Sequence, residues 1–576
     1  MVGGPQSQLR AWRARRALES GWDRSLGPLL GQFLAAREMG DFDAYAKVDF
    51  SKLKSPFLIL NMASAARRFA DAITAKQNIA LYADYDMDGM SGLAVLSSFL
   101  ADLGVAHQRI QPERLEEGYG LHTRWIESLA DQGTQLIITI DTGSTAVEAI
   151  DAARRRGMDV IVTDHHLVGP ELPSTPFLCN PNQAGDSSGL GMLSGAGMAF
   201  YLAMATRKVL REQNYFESKP APDLLRYLDF FALGTIADLV PLTSDNRILL
   251  RAALERIRHS RRPGIMALLT QCLKSFEVPT VRDIAFSVTP KLNAASRMGK
   301  PEIAMKLLLA GSVSGAWDAL QEILSLNEQR SQIQKDIFSE AQKQASEQSD
   351  SAFIVVHGPW HEGVLGIIAA KLVEEYQKPS IVLSSTHAKA RGSMRSVKGV
   401  HCVQALNSVS QLLERYGGHE MAAGLSLDRT QVESLRVALN DQAPNAAVEQ
   451  EPIEFDGWIL EPPSLSEVEK LYRAGPFGNG HPEPLFCVQG LDRAQFKTLG
   501  DLHIKMPWQE RCQILGFGWQ ESLNQIADPL VDVLVTPEIN RFRNSKSVQL
   551  RVCELRASQS QDLSSGSGRR LLDRGP

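Results

Sequence analysis

Cysteine is scarce: the 576 residues hold six, at positions 179, 272, 402, 487, 512 and 553, with no Cys-x-x-Cys pair. That scatter suits neither a disulfide framework nor a zinc site, and it points to a reducing compartment. Long apolar runs are missing as well, none reaching the roughly 20 residues that span a bilayer. The N-terminus is basic (Arg10, Arg13, Arg15, Arg16), but no apolar segment follows, so no secretory signal is expected. These absences predict a cytoplasmic protein without a membrane partner. Positive charge is not in excess either. A net charge of −5 lends no support to a nucleic-acid partner, so any such contact must come from local basic patches.

What is present is ordinary in bulk. Apolar residues make up 44% and charged residues 22%, which fits a globular protein. The length exceeds a single core, so two to four domains are expected. No internal repeat is visible. Residues 1 to about 50 read as helix-like, with Trp12 and Trp22 and no chemistry. From about 76 to 240, short apolar β-rich runs at 78–83, 135–140 and 159–163 alternate with helical periods such as 91–103 and 146–156. That alternation predicts a mainly parallel α/β sheet. Residues 303–348 read as helix throughout and end in a polar stretch expected to be a solvated connector. A second α/β segment begins with a strand at 352–357 and runs to about 445. Residues 442–450 suit a linker. Short strand-like runs at 502–506, 513–517, 531–536 and 547–552 then suggest a small β-barrel, and a Ser/Gly-rich tail from Ser558 is expected to be disordered.

The informative feature is where the acids fall. The first run leads straight into Asp84-Tyr-Asp86-Met-Asp88-Gly89, the second into Asp141-Thr-Gly143, the third into Asp164-His165-His166. In an open parallel sheet the C-terminal strand ends share one edge, where ligands bind. Three strands thus deliver up to five carboxylates and two imidazoles to one place. Left bare, the carboxylates repel and some take up protons; divalent cations resolve the conflict. Mixed Asp and His donors suit Mn2+ or a similar ion, with Mg2+ where oxygen dominates. Two such ions roughly 3.5–4 Å apart can activate water and stabilise a phosphoryl transition state. A single Asp at a strand end is more often a cap or turn former, and a lone His is usually structural; the combination carries the signal.

Two rival motifs fail. An EF-hand loop opening at Asp84 would need Glu at its twelfth position, which is Val95. An aspartyl phosphatase of the haloacid-dehalogenase type, with Asp86-Met-Asp88-Gly89 as its motif, leaves Asp164-His165-His166 without a role.

These three segments, with Gly234-Thr-Ile-Ala-Asp238, resemble the four ordered motifs of the DHH phosphoesterase family. Leu239-Val240-Pro241-Leu242, Asn246-Arg247, Gly118-Tyr119-Gly120, Gly195-Ala-Gly197 and Pro290-Lys-Leu-Asn293-Ala-Ala-Ser-Arg297 are similar to its RecJ branch. His361-Glu-Gly363, Gly392-Ser393-Met-Arg395 and Gly417-Gly418-His419 resemble motifs of the family's associated domain, DHHA1. Pro476-Phe477-Gly478-Asn-Gly480 resembles the lead into an oligonucleotide-binding (OB) barrel. Departures are small: Thr142 stands where Asn is usual, and Met394 and Ser296 stand where Gly is common. Met394 is expected to alter loop geometry.

The resemblance implies an α/β protein: an N-terminal helical extension (1–49), a parallel-sheet DHH domain (50–302), connecting helices (303–348), a DHHA1-like α/β domain (349–445), an OB-type β-barrel (451–556) and a disordered tail (557–576). It implies Asp84, Asp86, Asp88, Asp141, His165 and Asp238 around two divalent ions, Mn2+ or Mg2+, with Asp141 bridging. Asp164 is expected to orient a neighbour, and His166 to touch the scissile phosphate or protonate the leaving oxygen. Arg114, Asn293, Arg297, Ser393, Arg395 and His419 are candidate substrate contacts. Lys497, Lys505, Arg541, Arg543 and Lys546, with Phe496, Trp508 and Phe542, are candidates for charge and stacking along a single strand.

The implied activity is 5′-to-3′ exonucleolysis of single-stranded DNA to 5′-mononucleotides in DNA repair and recombination. Implied partners are single-stranded DNA, a helicase and a single-strand-binding protein, and a monomer is expected. The alternatives are a phosphoesterase of nanoRNA or another small phosphate ester, and a non-catalytic replication scaffold.

Overall fold

The computed structural model describes residues 11–15, 22–114, 118–273, 278–441, 451–509, 512–542 and 545–559. Arg10, Arg16, Arg543, the Phe542 side chain, the expected linker 442–450 and the tail beyond 559 lie outside what is described. The chain divides into two compact units, one of residues 48–446 with 478–480, the other of 1–47, 447–477 and 481–576.

In the first unit the strands Ile79–Ala83, His107–Ile110, Leu136–Ile140, Asp159–Thr163 and Leu178–Cys179 form one five-stranded sheet. Every pairing in it is parallel. The spatial order is second, first, third, fourth, fifth, so the direction in which successive strands are added reverses between Ile79–Ala83 and Leu136–Ile140. That reversal opens a crevice beyond the C-terminal strand ends. The strands are apolar at nearly every position because both faces are covered. Ile79, Leu81, Ala83, Ile138 and Ile140 point into the main core, while Ala80, Tyr82, Ile137 and Val162 point into a second core on the other face. The expected strands at 78–83 and 135–140 each begin one residue later than predicted, and 159–163 coincides with its strand.

The expected connector is helical as read: the helix Pro301–Leu308 followed by one continuous 34-residue helix, Val313–Ser346. At about 1.5 Å per residue the long helix spans about 50 Å. It is docked at both ends. Ala316, Ala319, Leu320 and Ile323 are buried in the main core. Ile337, Ala341 and Ala345 are buried against Ile354, Val356, Trp360 and Ile368 of the second α/β layer. Its polar composition misled because these contacts are spaced over many turns and use small residues.

That second layer is a mixed sheet in the order Arg415–Gly418, Ala422–Asp428, Lys389–Arg395, Ser380–Ser384, Ile354–Gly358, with only the last pair parallel. Met394, expected to alter a loop, sits on the central strand Lys389–Arg395 and is fully buried in the core with Ile381 and Ala423. A side chain facing inward from a strand fills volume and leaves the neighbouring Ser393 and Arg395 facing the other way.

The other unit holds a seven-stranded sheet. Its last two strands, Leu530–Phe542 and Ser545–Ala557, are 13 residues each and form a long antiparallel hairpin, where short strands were expected. The N-terminal segment is not all helix-like. Helices Pro28–Ala36 and Phe42–Ala46 are present, but Trp12–Ala14 is a strand paired in parallel with Ile453–Phe455. Three residues that pair far away in sequence leave no local periodicity to read. Among the described residues no helix is long and apolar enough to cross a membrane.

Candidate active site

The crevice at the sheet's switch point collects the acids. Asp84 follows Ile79–Ala83, and its backbone N–H donates to Ile140 O at 3.1 Å, extending the ladder one residue. Asp86 caps the helix Met87–Asp102, its carboxylate accepting from the N–H groups of Asp88 and Gly89 at 2.9 and 3.1 Å. Asp88 accepts from the N–H groups of Gly195 and Ala196 at 2.5 and 2.9 Å, at the start of the helix Gly195–Glu212. Asp141 holds a left-handed backbone, φ 61°, which Asp tolerates better than most residues. Asp238 closes the helix Leu228–Ala237.

His165 Nε2 stands 3.1 Å from Asp141 Oδ1, 3.6 Å from Asp238 Oδ2 and 3.7 Å from Asp88 Oδ2. None of these contacts meets hydrogen-bond geometry. His165 Nε2, Asp141 Oδ1 and Asp84 Oδ1 are all buried without a hydrogen-bond partner among the described residues. Leaving buried polar atoms unmatched is costly unless something else occupies their lone pairs. Within each of three overlapping sets the donor atoms lie no more than 4.8 Å apart: Asp84, Asp86 and Asp141; Asp88, His165 and Asp238; Asp141, His165 and His166. Asp141 belongs to two of them. An all-carboxylate-plus-imidazole set with orphaned lone pairs fits divalent cations of the Mn2+ or Mg2+ kind.

The electrostatics agree. Burial first, then the neighbouring carboxylates, push Asp84 and Asp141 well above the usual carboxylate range. The same causes carry Asp88 up to about 7 and Asp238 up to about 8. Burial and the charge of His166 hold His165 down at about 4, so its imidazole is neutral and its lone pair available.

His166 and Asp164 are a different pair. Asp164 Oδ2 accepts from Ser144 N–H at 2.9 Å, and Oδ1 accepts from the backbone N–H groups of His165 and His166 at 2.8 and 3.1 Å. Oδ1 also lies 2.8 Å from His166 Nδ1. Burial would lower the His166 pKa, but the hydrogen bond and charge of Asp164 outweigh it and hold the imidazole at about 9. With Nδ1 spent on Asp164, Nε2 is the atom left for substrate. Burial alone would raise Asp164, but these bonds and the His166 charge keep it below the usual range.

Several neighbours escaped the sequence analysis as site residues. The Tyr119 hydroxyl lies 3.2 Å from His166 Nδ1 and 3.4 Å from Asp141 O. Asn180 Nδ2 donates to His166 O and to Ser144 Oγ, both at 2.8 Å, and Asn182 Nδ2 donates to His165 O. Asparagines in loops carry no pattern that marks them as struts.

The predicted cationic residues come together only in part. Arg114, Ser393 and Arg395 line one cavity of about 330 Å3, with Gly366, Gly392 and Gly424. Arg395 Nη1 donates to Ser393 Oγ at 2.7 Å. Arg114 also lies over the Tyr85 ring, 5.0 Å from its centre. Arg297 donates to Gly363 O at 3.0 Å, and burial, then the charges of Arg114, Arg330 and Arg395, pull its pKa down to about 9. Arg330, on the long helix, is thus a fourth arginine of the group that no motif announced; its Nε is buried without a hydrogen-bond partner among the described residues. Asn293 lies one turn before Arg297 on the helix Thr289–Arg297 and is half-buried. His419 is exposed on the second layer, its ring centre 6.2 Å from that of His166.

In the seven-stranded sheet, Lys497 faces Lys505 across one strand pair and Arg541 faces Lys546 across another. Phe496 and Trp508 are half-buried, each with one side packed against that unit's core.

Comparison with known proteins gives a consistent picture. The profile of the DHH family, N-terminal domain, matches residues 78–235; that of the DHHA1 domain matches 349–444; that of the RecJ OB domain matches 460–554. The single-stranded-DNA-specific exonuclease RecJ of Dickeya dadantii is 33% identical over 86% of this chain and 90% of its own length. That of Bacillus subtilis is 32% identical over 88% of this chain, which spans 64% of that relative's length. RecJ from Thermus thermophilus, solved in complex with Mn2+ and with Mg2+, superposes with TM-scores of 0.76 and 0.72 at 26% identity. The match covers 93% of this chain in both cases, and 76% and 75% of the solved chains.

Proposed function

Because this chain belongs to the RecJ family of single-stranded-DNA-specific exonucleases, we propose that it is a metal-dependent 5′-to-3′ exonuclease releasing 5′-mononucleotides from single-stranded DNA. One observation carries the reading. A cluster of orphaned carboxylate and imidazole atoms lies within electrostatic reach of Arg114, which lines a cavity with Arg391 and Arg395; a scissile phosphodiester and a neighbouring phosphate require that combination.

Asp84, Asp86, Asp88, Asp141, His165 and Asp238 would hold two divalent ions, Mn2+ or Mg2+, with Asp141 shared between them. Such ions activate water and offset the charge that develops on the phosphoryl group. Asp164 orients His166 and keeps it charged, so His166 Nε2 can donate to a phosphate oxygen or to the leaving oxygen. Arg114, Arg297, Ser393 and Arg395, with Asn293 and His419, would grip phosphates of the strand. The barrel lysines and Arg541 would follow the backbone by charge. The working division into domains is 50–302, 303–348, 349–445 and 451–556, with 1–49 as an N-terminal extension. The same reading expects a cytoplasmic monomer in repair and recombination, supplied with single strands by a helicase and meeting a single-strand-binding protein.

The test uses two single strands, one labelled at the 5′ end and one at the 3′ end, with Mn2+ or Mg2+ and a chelator control. Immediate release of 5′ label as mononucleotide, with stepwise shortening of the 3′-labelled strand, is expected. No metal-dependent release from either strand would transfer the proposal to a phosphoesterase of a small phosphate ester or to a non-catalytic scaffold. Asp141→Ala is expected to abolish cleavage and leave DNA binding largely intact, with circular dichroism verifying the fold.

A further inference from the structure

Four large exposed apolar side chains sit on the chain segments that adjoin the acidic cluster. Leu167 directly follows His166 and is 67% exposed; Leu239 directly follows Asp238 and is also 67% exposed. Met192 is 57% and Tyr119 42% exposed. Single exposed apolar residues are common and need no explanation. These four differ in being tied to the site. The Asn182 side chain donates both to His165 O and to Gly191 O, and the Asn246 side chain donates both to Met192 O and to Pro241 O. Two asparagines thus stitch together the backbones that present Leu167, Met192 and Leu239. The Tyr119 ring lies 5.2 Å from that of His166.

Leu239 carries a second mark. Its backbone is left-handed, φ 58°, a region that costs a residue with a branched side chain of order 1 kcal/mol or more. Asn479 Nδ2 donates to its carbonyl at 2.6 Å and holds the turn. A strained turn that leaves a leucine in water beside a candidate ligand gains nothing from packing.

We propose that Tyr119, Leu167, Met192 and Leu239 form a nucleobase-contacting rim, which seats the unpaired bases flanking the scissile phosphodiester. The inference rests on the exonuclease reading above and extends it from the phosphates to the bases. An unpaired base offers a free apolar face that such side chains can cover; a paired base keeps that face stacked inside the duplex. The rim therefore makes base accessibility, as well as phosphate geometry, a condition for cleavage.

The experiment compares an ordinary single strand with one whose two terminal nucleotides at the cleaved end carry tetrahydrofuran in place of bases, both with Mn2+. The wild-type chain is expected to prefer the ordinary strand by about tenfold in kcat/KM, mostly through KM, as the loss of base contacts implies. In the double variant Leu167→Ala, Leu239→Ala that ratio falls toward one, whereas Leu167→Phe keeps or widens it. A purely structural role would lower both rates and preserve the ratio. A wild-type ratio near one, or an unchanged ratio in the double variant, overturns the rim while leaving the exonuclease reading intact. Absence of metal-dependent release from either strand overturns both.

Discussion

Asp141 occupies the space where a side chain on Gly195 would go. A Cβ at position 195 would lie 2.5 Å from Asp141 Cγ and 2.6 Å from its Oδ1, and one at Gly234 would lie 2.5 Å from Asp88 Oδ1. Gly195 opens its helix and Gly234 lies within the helix Leu228–Ala237, and at both the carboxylates approach closer than an L side chain would permit. Gly195→Ala is expected to displace Asp141 and cut kcat about 100-fold, as a roughly 1 Å misplacement at a reacting centre can. Initial rates beside an unchanged circular dichroism spectrum check this; a rate within a few-fold of wild type contradicts it. The glycines were visible as parts of motifs, but the reason for them was not. A close approach between residues so far apart in the chain leaves no trace in local pattern.

The long helix Val313–Ser346 connects the two α/β layers and contributes Arg330 to the arginine group. Arg114 comes from one layer and Ser393 and Arg395 from the other, so the cavity they line depends on that helix staying straight. Gln332 is exposed near its middle, and a proline there removes one backbone hydrogen bond and clashes with the preceding turn, costing about 3 kcal/mol. Gln332→Pro is expected to weaken single-strand binding at least about tenfold, since each lost charge-assisted contact is worth about 1.5–3 kcal/mol. Mn2+ binding, which needs only residues 84–238, is expected to persist. Fluorescence anisotropy with a labelled oligonucleotide and Mn2+ titration separate the two. Equal loss of both would mean that the helix supports the whole unit, not the cavity.

Across the whole molecule the acidic cluster couples stability to pH. His166 is raised from 6.5 to about 9 and Asp238 from 3.8 to about 8 in the folded chain. Between pH 6.5 and 9 the folded state therefore holds more protons than the unfolded state, and stability falls as pH rises through that window. His165, lowered to about 4, opposes this only below pH 6.5. Metal-free protein is expected to melt several degrees lower at pH 8.5 than at 6.5. Saturating Mg2+ should flatten that dependence, because the ions replace the protons. Ion affinity should rise by about tenfold per pH unit for each proton displaced. Differential scanning calorimetry and isothermal titration calorimetry at both pH values test these linked effects; a metal-free melting temperature that rises with pH would refute them.

The sequence by itself determined the three parallel strands and the acids at their ends. Strand period and the residue after the strand are local, and a parallel sheet places all its C-terminal ends on one edge. Only the tertiary structure decided the rest: that Asp238 reaches His165 from a helix end, that Asp88 binds the start of the helix Gly195–Glu212, and that His419 comes to lie against His166. It also decided that Phe496 and Trp508 rest half-buried against a core and that Trp12–Ala14 pairs with Ile453–Phe455. These contacts join residues far apart in the chain, and their energy comes from burial and hydrogen bonding that exist only once both partners are in place.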